Sequence, residues 1–425
     1  MITRAYIVGA GIADSAATGA DVVIGGLPVL LRLALSLQDA GVDDLVLVGV
    51  PDLMLRQDNR IRARISSAAR GSVRADRGAI VAHARCVCHP GLLHGLTRIG
   101  VAPNDIVPVV SADAVLFVCG TERVCAAIDG ILTGGSRDVS GSPVVVRSPE
   151  FVMCPRTPAE REATLTLLLR SLEKPSDGLV SRHLHRPVSR AITRRLLTTG
   201  ITPNHMTLVA AAWGAAGALV ALRGGYWYLL LGAALFEAQN ILDGCDGEIA
   251  RLKHLRSRGG EWLDQITDDV LNIVFLVAVA AGLTRDGHAY AGRLATVAVG
   301  AQVIHLIGLY AGLAWTAGGT GSVARLRWWI GGGNTRTTVG DLTRRDVISF
   351  AYLVAAIFNV IAVAFLWHVL VTIGSAVVTT LQWIVWGGPE VTEVAEVTVQ
   401  PQRHRDTETR REDGGSTGRP AQQAD

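Results

Sequence analysis

Asp243-Gly-Cys-Asp246-Gly247-Glu-Ile-Ala250-Arg251 and, after a short basic segment, Gly260-Glu-Trp-Leu-Asp264-Gln-Ile-Thr-Asp268 stand at the seam between two strongly apolar segments. Charge is costly there and seldom accidental. Asp243 and Asp246 are three residues apart and Asp264 and Asp268 four, so in helices each pair projects from one face, with Ala250 following on the first. Two antiparallel helices joined through 252–258 bring the four carboxylates together. Uncompensated, such a cluster repels itself. Hard divalent cations relieve the repulsion, and an oxygen-only set favours Mg²⁺ or Mn²⁺ over Zn²⁺. Gly247 leaves room for a ligand to approach closely. Cys245 points off the face, and Asp269 is one residue out of register. One pair alone would read as a solvated helix cap; two pairs in phase at one membrane face read as a metal-dependent active site.

Outward from this stretch the composition divides the chain. It has 425 residues, 49% of them hydrophobic, and a mean hydropathy of +0.34. The apolar residues concentrate in blocks long enough to cross a hydrocarbon layer of ~30 Å. Six spans are expected at 206–222, 226–242, 266–283, 295–315, 347–367 and 369–386. Arginines crowd the segment before the first span, the second connection (Arg251, Arg256, Arg258) and the fourth (Arg325, Arg327, Arg336, Arg344, Arg345). The opposite connections carry fewer, such as Arg223, or Arg285 with Arg293. By the positive-inside rule both termini and the carboxylate loop face the cytoplasm. No cleavable signal peptide is expected at the start of the chain. A formal charge of +3 gives no reason to expect a nucleic-acid partner. The expected architecture is therefore multi-domain: an α/β domain over 1–173, a linker and basic amphipathic helix in the headgroup layer over 174–205, an all-α six-helix transmembrane domain over 206–388, and a disordered tail over 389–425.

In the first domain, short runs such as Ala5-Tyr-Ile-Val, Leu45-Val-Leu-Val, Ile106-Val-Pro-Val-Val, Val115-Leu-Phe-Val and Pro143-Val-Val-Val alternate with helical patterns at 28–40, 91–98, 121–132 and 158–172. That order predicts a mostly parallel sheet covered on both faces. The six cysteines of the whole chain include no CxxC pair. His83, Cys86, Cys88 and His89 lie close in sequence, but the strand-like alternation sends neighbours to opposite faces, so no zinc site is expected there. The pieces Gly25-Gly-Leu-Pro28-Val-Leu-Leu-Arg-Leu and Ala40-Gly-Val-Asp-Asp-Leu-Val-Leu-Val resemble the sugar-phosphate nucleotidyltransferase fold. Active members of that family hold the triphosphate with an arginine in the Gly-rich turn and a lysine before the Pro-Leu helix. Here the turn Gly9-Ala-Gly-Ile-Ala-Asp-Ser-Ala-Ala-Thr-Gly has no basic residue, and the first lysine is Lys174. Asp113 falls where such enzymes place a metal-binding carboxylate, but a single aspartate after a strand is more often a turn residue. The domain is read as a degenerate, non-catalytic relative.

Asp243-x-x-Asp246-Gly247-x-x-Ala250-Arg251, eight residues, then Gly260-x-x-x-Asp264-x-x-x-Asp268 resembles the CDP-alcohol phosphotransferase signature at every defining position. Pro203-Asn204-x-x-Thr207 is similar to the family's approach to the first span. The fusion to an N-terminal domain through Lys174-Pro-Ser-Asp-Gly resembles the fused inositol-phosphate cytidylyltransferase/di-inositol-phosphate phosphate synthases. The resemblance implies transfer of a substituted phosphate from a CDP-alcohol, CDP-diacylglycerol or a CDP-polyol, to an acceptor alcohol such as inositol phosphate, with release of CMP. It implies Asp243, Asp246, Asp264 and Asp268 as ligands of two Mg²⁺ or Mn²⁺ ions, and Asp268 also as general base. Thr207, Gly247, Ala250, Arg251 and Gly260 would line the CDP site. Arg325, Arg327, Arg336, Arg344 and Arg345 would offer an acceptor phosphate forked hydrogen bonds, although topology alone also puts arginines there. Similar enzymes are commonly homodimers.

Two other readings compete. One is a bifunctional enzyme that also makes its own CDP-activated polyol. The other is a cation-binding transporter or anchored binding module, which would more naturally place carboxylates near the bilayer midplane in interrupted helices.

Overall fold

A computed structural model of the chain describes residues 1–9, 22–73, 76–110, 116–133, 144–145, 150–173, 177–315, 326–327, 343–388 and 390–391. The Gly-rich turn beyond Gly9, Asp113, Lys174, Arg325, Arg336, the side chain of Arg327 and the tail from 392 lie outside the described residues.

Among the described residues the main sheet of the N-terminal domain has seven strands: β1 (Arg4–Val8), β2 (Asp44–Val48), β3 (Arg64–Ala68), β4 (Ala79–His83), β5 (Ile106–Val110), β6 (Leu116–Cys119) and β7 (Val144–Val145). Their order across the sheet is β7-β5-β6-β4-β1-β2-β3. β1 runs parallel to β2 and β4, as expected. The sheet is mostly parallel, as expected, with four of its six pairings so; β6 is the exception, antiparallel to both neighbours. Only five residues separate β5 from β6, too few for the crossover a parallel pair requires. Helix α1 (Val29–Asp39) covers one face, where Leu30, Leu33 and Leu37 meet Ile7, Leu45 and Ile80. Helix α2 (Val124–Thr133) covers the other, against Tyr6, Val81 and Phe117. Helix α3 (Pro158–Arg170) begins at a capping box in which Thr157 and Glu160 satisfy each other's backbone N–H groups.

Among the described residues seven α-helices follow: α4 (Arg186–Leu196), α5 (Pro203–Ala221), α6 (Tyr226–Leu252), α7 (Arg258–Arg285), α8 (Tyr290–Trp315), α9 (Arg345–Ile357) and α10 (Ile361–Trp386). Of these, α7, α8 and α10 are each long and apolar enough to cross a membrane by length and composition. Large apolar side chains such as Leu208, Val274, Ile307, Leu370 and Ile384 point outward, as a lipid-facing surface requires. Helix α5 lies between α6 and α7, and glycine sets the spacing. A Cβ on Gly232 would sit 2.8 Å from the carbonyl oxygen of Gly217, and one on Gly282 only 2.4 Å from that of Ala221. Small residues at helix crossings let backbones approach this closely.

The last two expected spans divide differently. The break falls at Phe358, Asn359 and Val360, not near His368, because Asn359 takes a left-handed φ of 58° that ends α9. Helix α9 has 13 residues, about 20 Å at 1.5 Å per residue, while α10 has 26.

Candidate active site

Helix α6 does not stop at the apolar segment but continues through Leu252, and α7 begins at Arg258 with Ser257 accepting from the N–H of Gly260. Asp243, Asp246, Asp264 and Asp268 therefore sit within regular helix, their phase fixed by backbone hydrogen bonds. The rings of Phe236 and Phe275 stack at 3.9 Å and lock α6 against α7, about two to three turns deeper. Above them, Asp243, Asp246 and Asp264 each offer an oxygen within 4.8 Å of the others'. Asp246 is anchored from the third helix: Thr207 Oγ1 donates to its Oδ2 at 2.6 Å.

Asp268 joins the group through Arg345. The guanidinium of Arg345, at the start of α9, donates to Asp243 Oδ2 at 2.9 Å and pairs with Asp268. The site tests well as a metal site on its own atoms, since Asp264 Oδ1 and Asp268 Oδ1 are buried without a hydrogen-bond partner. Buried carboxylate oxygens left so are expensive, and the set is all oxygen, suited to Mg²⁺ or Mn²⁺.

Arg251 folds back over Gly247, where a Cβ would meet its Nη1 at 3.3 Å. Its Nε and Nη2 are buried without hydrogen-bond partners, and the charged groups acting on it are Arg186, Arg256, Glu248 and Asp177. Gly260 faces Asn204 Oδ1 at 3.3 Å from its Cβ position. Thr207, Gly247, Arg251 and Gly260 are thus on the elements around the aspartates. Ala250, one residue from Arg251, is half-buried.

A polar cavity of about 440 Å³ opens beside the carboxylates, its lining including Asp243, Asp268, Arg345, Arg186, Ser189 and Arg344. Of the five arginines expected to hold an acceptor phosphate, Arg344 and Arg345 line it. The junction before α4 forms its rim. Ser181 N donates to Asp346 Oδ2 at 3.0 Å, and a Cβ on Gly178 would stand 2.6 Å from Arg344 Nε.

The structure adds residues that local sequence reasoning passed over. Helix α4 turns a polar face, Arg186, Ser189 and Thr193, inward onto Glu248, which is fully buried and accepts from all three. Arg186 also pairs with Asp177 at 2.9 Å. Glu237 takes His185 and Ser349, each at 2.7 Å. The i, i+3, i+7 spacing of Arg186, Ser189 and Thr193 was the available signal. Asp269 accepts from Tyr310 at 2.7 Å, and Cys245 Sγ turns toward Ser189 O. In the N-terminal domain Cys86 and Cys88 place their sulfurs 3.2 Å apart, and Cys154 lies 4.0 Å from His83.

Comparison with known proteins bears on the helical half of the chain. Residues 200–381 match the family model of the CDP-alcohol phosphatidyltransferases. The "Bifunctional IPC transferase and DIPP synthase" of Thermococcus kodakarensis is 38% identical over 125 residues, 29% of this chain and 28% of that protein. The protein of the same description from Aquifex aeolicus is 35% identical over 142 residues, 33% of this chain and 32% of its own length. That from Archaeoglobus fulgidus is 33% identical over 120 residues, 28% and 24% respectively. The matched stretches span about a third or less of these curated relatives.

Proposed function

We propose that this chain, whose residues 200–381 match the family model of the CDP-alcohol phosphatidyltransferases, moves a substituted phosphate from a CDP-alcohol to an acceptor hydroxyl and releases CMP. The observation that carries the reading is the convergence of two carboxylate pairs from α6 and α7, with buried oxygens left unpartnered, beside a polar cavity. Asp243, Asp246, Asp264 and Asp268 hold Mg²⁺ or Mn²⁺, two ions in this reading. When bound, such ions neutralise the pyrophosphate and stabilise charge on the departing CMP. The chain's own residues do the rest. Arg251 offers its Nε and Nη2 to the donor phosphates, Gly247 and Ala250 leave space for the nucleotide, and Thr207 holds Asp246 in place. Asp268 takes the proton of the acceptor hydroxyl as its oxygen bonds to phosphorus and the bond to CMP breaks.

The donor is CDP-diacylglycerol or a CDP-polyol, and the cavity suits a phosphorylated polyol such as inositol phosphate. Arg345 occupies the pivotal place. An acceptor phosphate competes with Asp268 for its guanidinium, so binding the acceptor releases the base for its task. With the arginine-rich connections on the cytoplasmic side, the N-terminal domain and the tail face the cytoplasm of a multi-pass enzyme in the cytoplasmic membrane, working as a homodimer. The relatives' names support a second reading, in which the N-terminal domain also makes the activated polyol.

Purified full-length protein with Mg²⁺, given CDP-diacylglycerol or CDP-inositol and a panel of acceptors, should release CMP. No release from any donor, or full activity after Asp268→Asn, sinks the transferase reading. Pyrophosphate release from CTP and inositol phosphate by Asp268→Asn protein would establish the second activity and show that the N-terminal domain is not degenerate.

A further inference from the structure

The two domains meet at an unusual place. Arg32, in the apolar run of α1, is only 3% exposed, and no carboxylate among the described residues pairs with it. Its Nη2 donates within the N-terminal domain to Ile24 O and Gly25 O, at 2.7 and 3.2 Å. Its Nη1 donates across the domains to Leu252 O at 2.7 Å. Leu252 is the last residue of α6, the helix that carries Asp243, Asp246 and Arg251.

The next two residues are held from the same side. Arg60 Nη1 donates to Lys253 O at 2.5 Å, and Asp39 Oδ2 meets His254 Nδ1 at 2.8 Å. His254 has a φ of 50°, a left-handed conformation that costs a non-glycine residue energy and persists only where neighbours impose it. Lys253 Nζ in turn donates to Thr199 O and Ile201 O, in the segment leading to α5. There is no slack in the docking, since a Cβ on Gly26 would sit 2.3 Å from Leu197 O.

The last carbonyls of a helix have no partner within it, and cations are favoured at that end. The N-terminal domain thus supplies the C-cap of α6. Only five residues, 253–257, then separate α6 from α7. Fixing the end of α6 fixes its rotation and height, and with them the phase of Asp243 and Asp246 against Asp264 and Asp268. Misplacement by about 1 Å costs a catalytic centre on the order of a hundredfold.

We propose that Arg32 is a positioning residue for the transferase centre, with Arg60 its partner, so that the docked N-terminal domain sets the geometry of the metal-binding carboxylates. This rests on the function proposed above for those carboxylates. The test uses the full chain in lipid nanodiscs, with Arg32→Gln, Arg32→Lys and Arg60→Ala. Mn²⁺ binding without substrate is read by electron paramagnetic resonance, CMP release by steady-state kinetics, and folding by thermal unfolding. The expected result is Mn²⁺ affinity weakened at least fivefold in Arg32→Gln and Arg60→Ala. At saturating Mn²⁺, kcat should fall at least tenfold with donor KM within threefold, and Arg32→Lys should recover part of both. Arg60 is half-buried, so its variant decides the matter should Arg32→Gln fail to fold. Folded variants with wild-type Mn²⁺ affinity and kcat overturn the proposal. Wild-type protein that releases no CMP, yet binds Mn²⁺ more tightly than the variants, supports the positioning role and overturns the transferase reading alone.

Discussion

Thr193 Oγ1 donates a 2.7 Å hydrogen bond to Glu248 Oε2, a carboxylate with no solvent exposure. Ser189 and Arg186 hold the other oxygen. Glu248 is thus the rivet between α4 and the helix that bears Asp243 and Asp246. Removing one member of such a buried set strands the rest. Glu248→Ala should destabilise the protein by about 3 kcal/mol or more, seen as a lower thermal midpoint in detergent. An unchanged midpoint would show that the network contributes nothing net.

Asp268→Asn removes the proposed base while leaving the shape of the site. CMP release should fall by about two to four orders of magnitude, with the thermal midpoint kept. Equal loss of donor binding, measured by calorimetry with the CDP-alcohol, would point to a ligand role alone.

Arg345 tests the acceptor. Charge-assisted hydrogen bonds are worth roughly 1.5–3 kcal/mol, so Arg345→Ala should raise KM for a phosphorylated polyol about tenfold or more. The unphosphorylated polyol serves as control and should show a much smaller change. Parallel losses for both acceptors would place Arg345 with the carboxylates only.

The helix crossing is tested at Gly232. Its Cβ position is 2.8 Å from both Gly217 O and Ala221 Cβ, so Gly232→Val must force α5 and α6 apart. A loss of about 1–3 kcal/mol or more is expected from overpacking, read as a drop in thermal midpoint together with lower activity.

The N-terminal domain should respond to acid through His83. Burial, helped by Arg85 and Arg156, pushes its pKa down from 6.5 to about 4. Folded protein therefore holds His83 neutral where the unfolded chain would protonate it. Its stabilising contribution is complete above about pH 6.5 and is lost as pH falls toward 4, by at most about 3 kcal/mol. Denaturant titrations of His83→Gln and wild type across this window should show a shallower pH slope in the variant.

The four aspartates were legible because helical phase is a local property: three or four residues settle which face a side chain takes. Glu248 was not, since its meaning depends on α4, more than fifty residues away. The break at Asn359 was hidden by unbroken hydropathy on either side, where only a backbone angle marks the turn. The direction of β6 was readable in principle from the short interval after Val110. Arg32 carries no local sign of its role, because the carbonyl it caps, Leu252 O, belongs to a helix 220 residues further along the chain.

The contact of Gly26 with the carbonyl of Leu197 has a consequence for how this chain can be rearranged. A sequence-based cut near residue 174 separates two recognisable modules, yet the energetic seam runs through residues 197 and 252–254. Chimeras that exchange the N-terminal module between relatives should therefore assemble only when these contact positions travel with it, and the fusion behaves as one heritable unit despite its modular appearance.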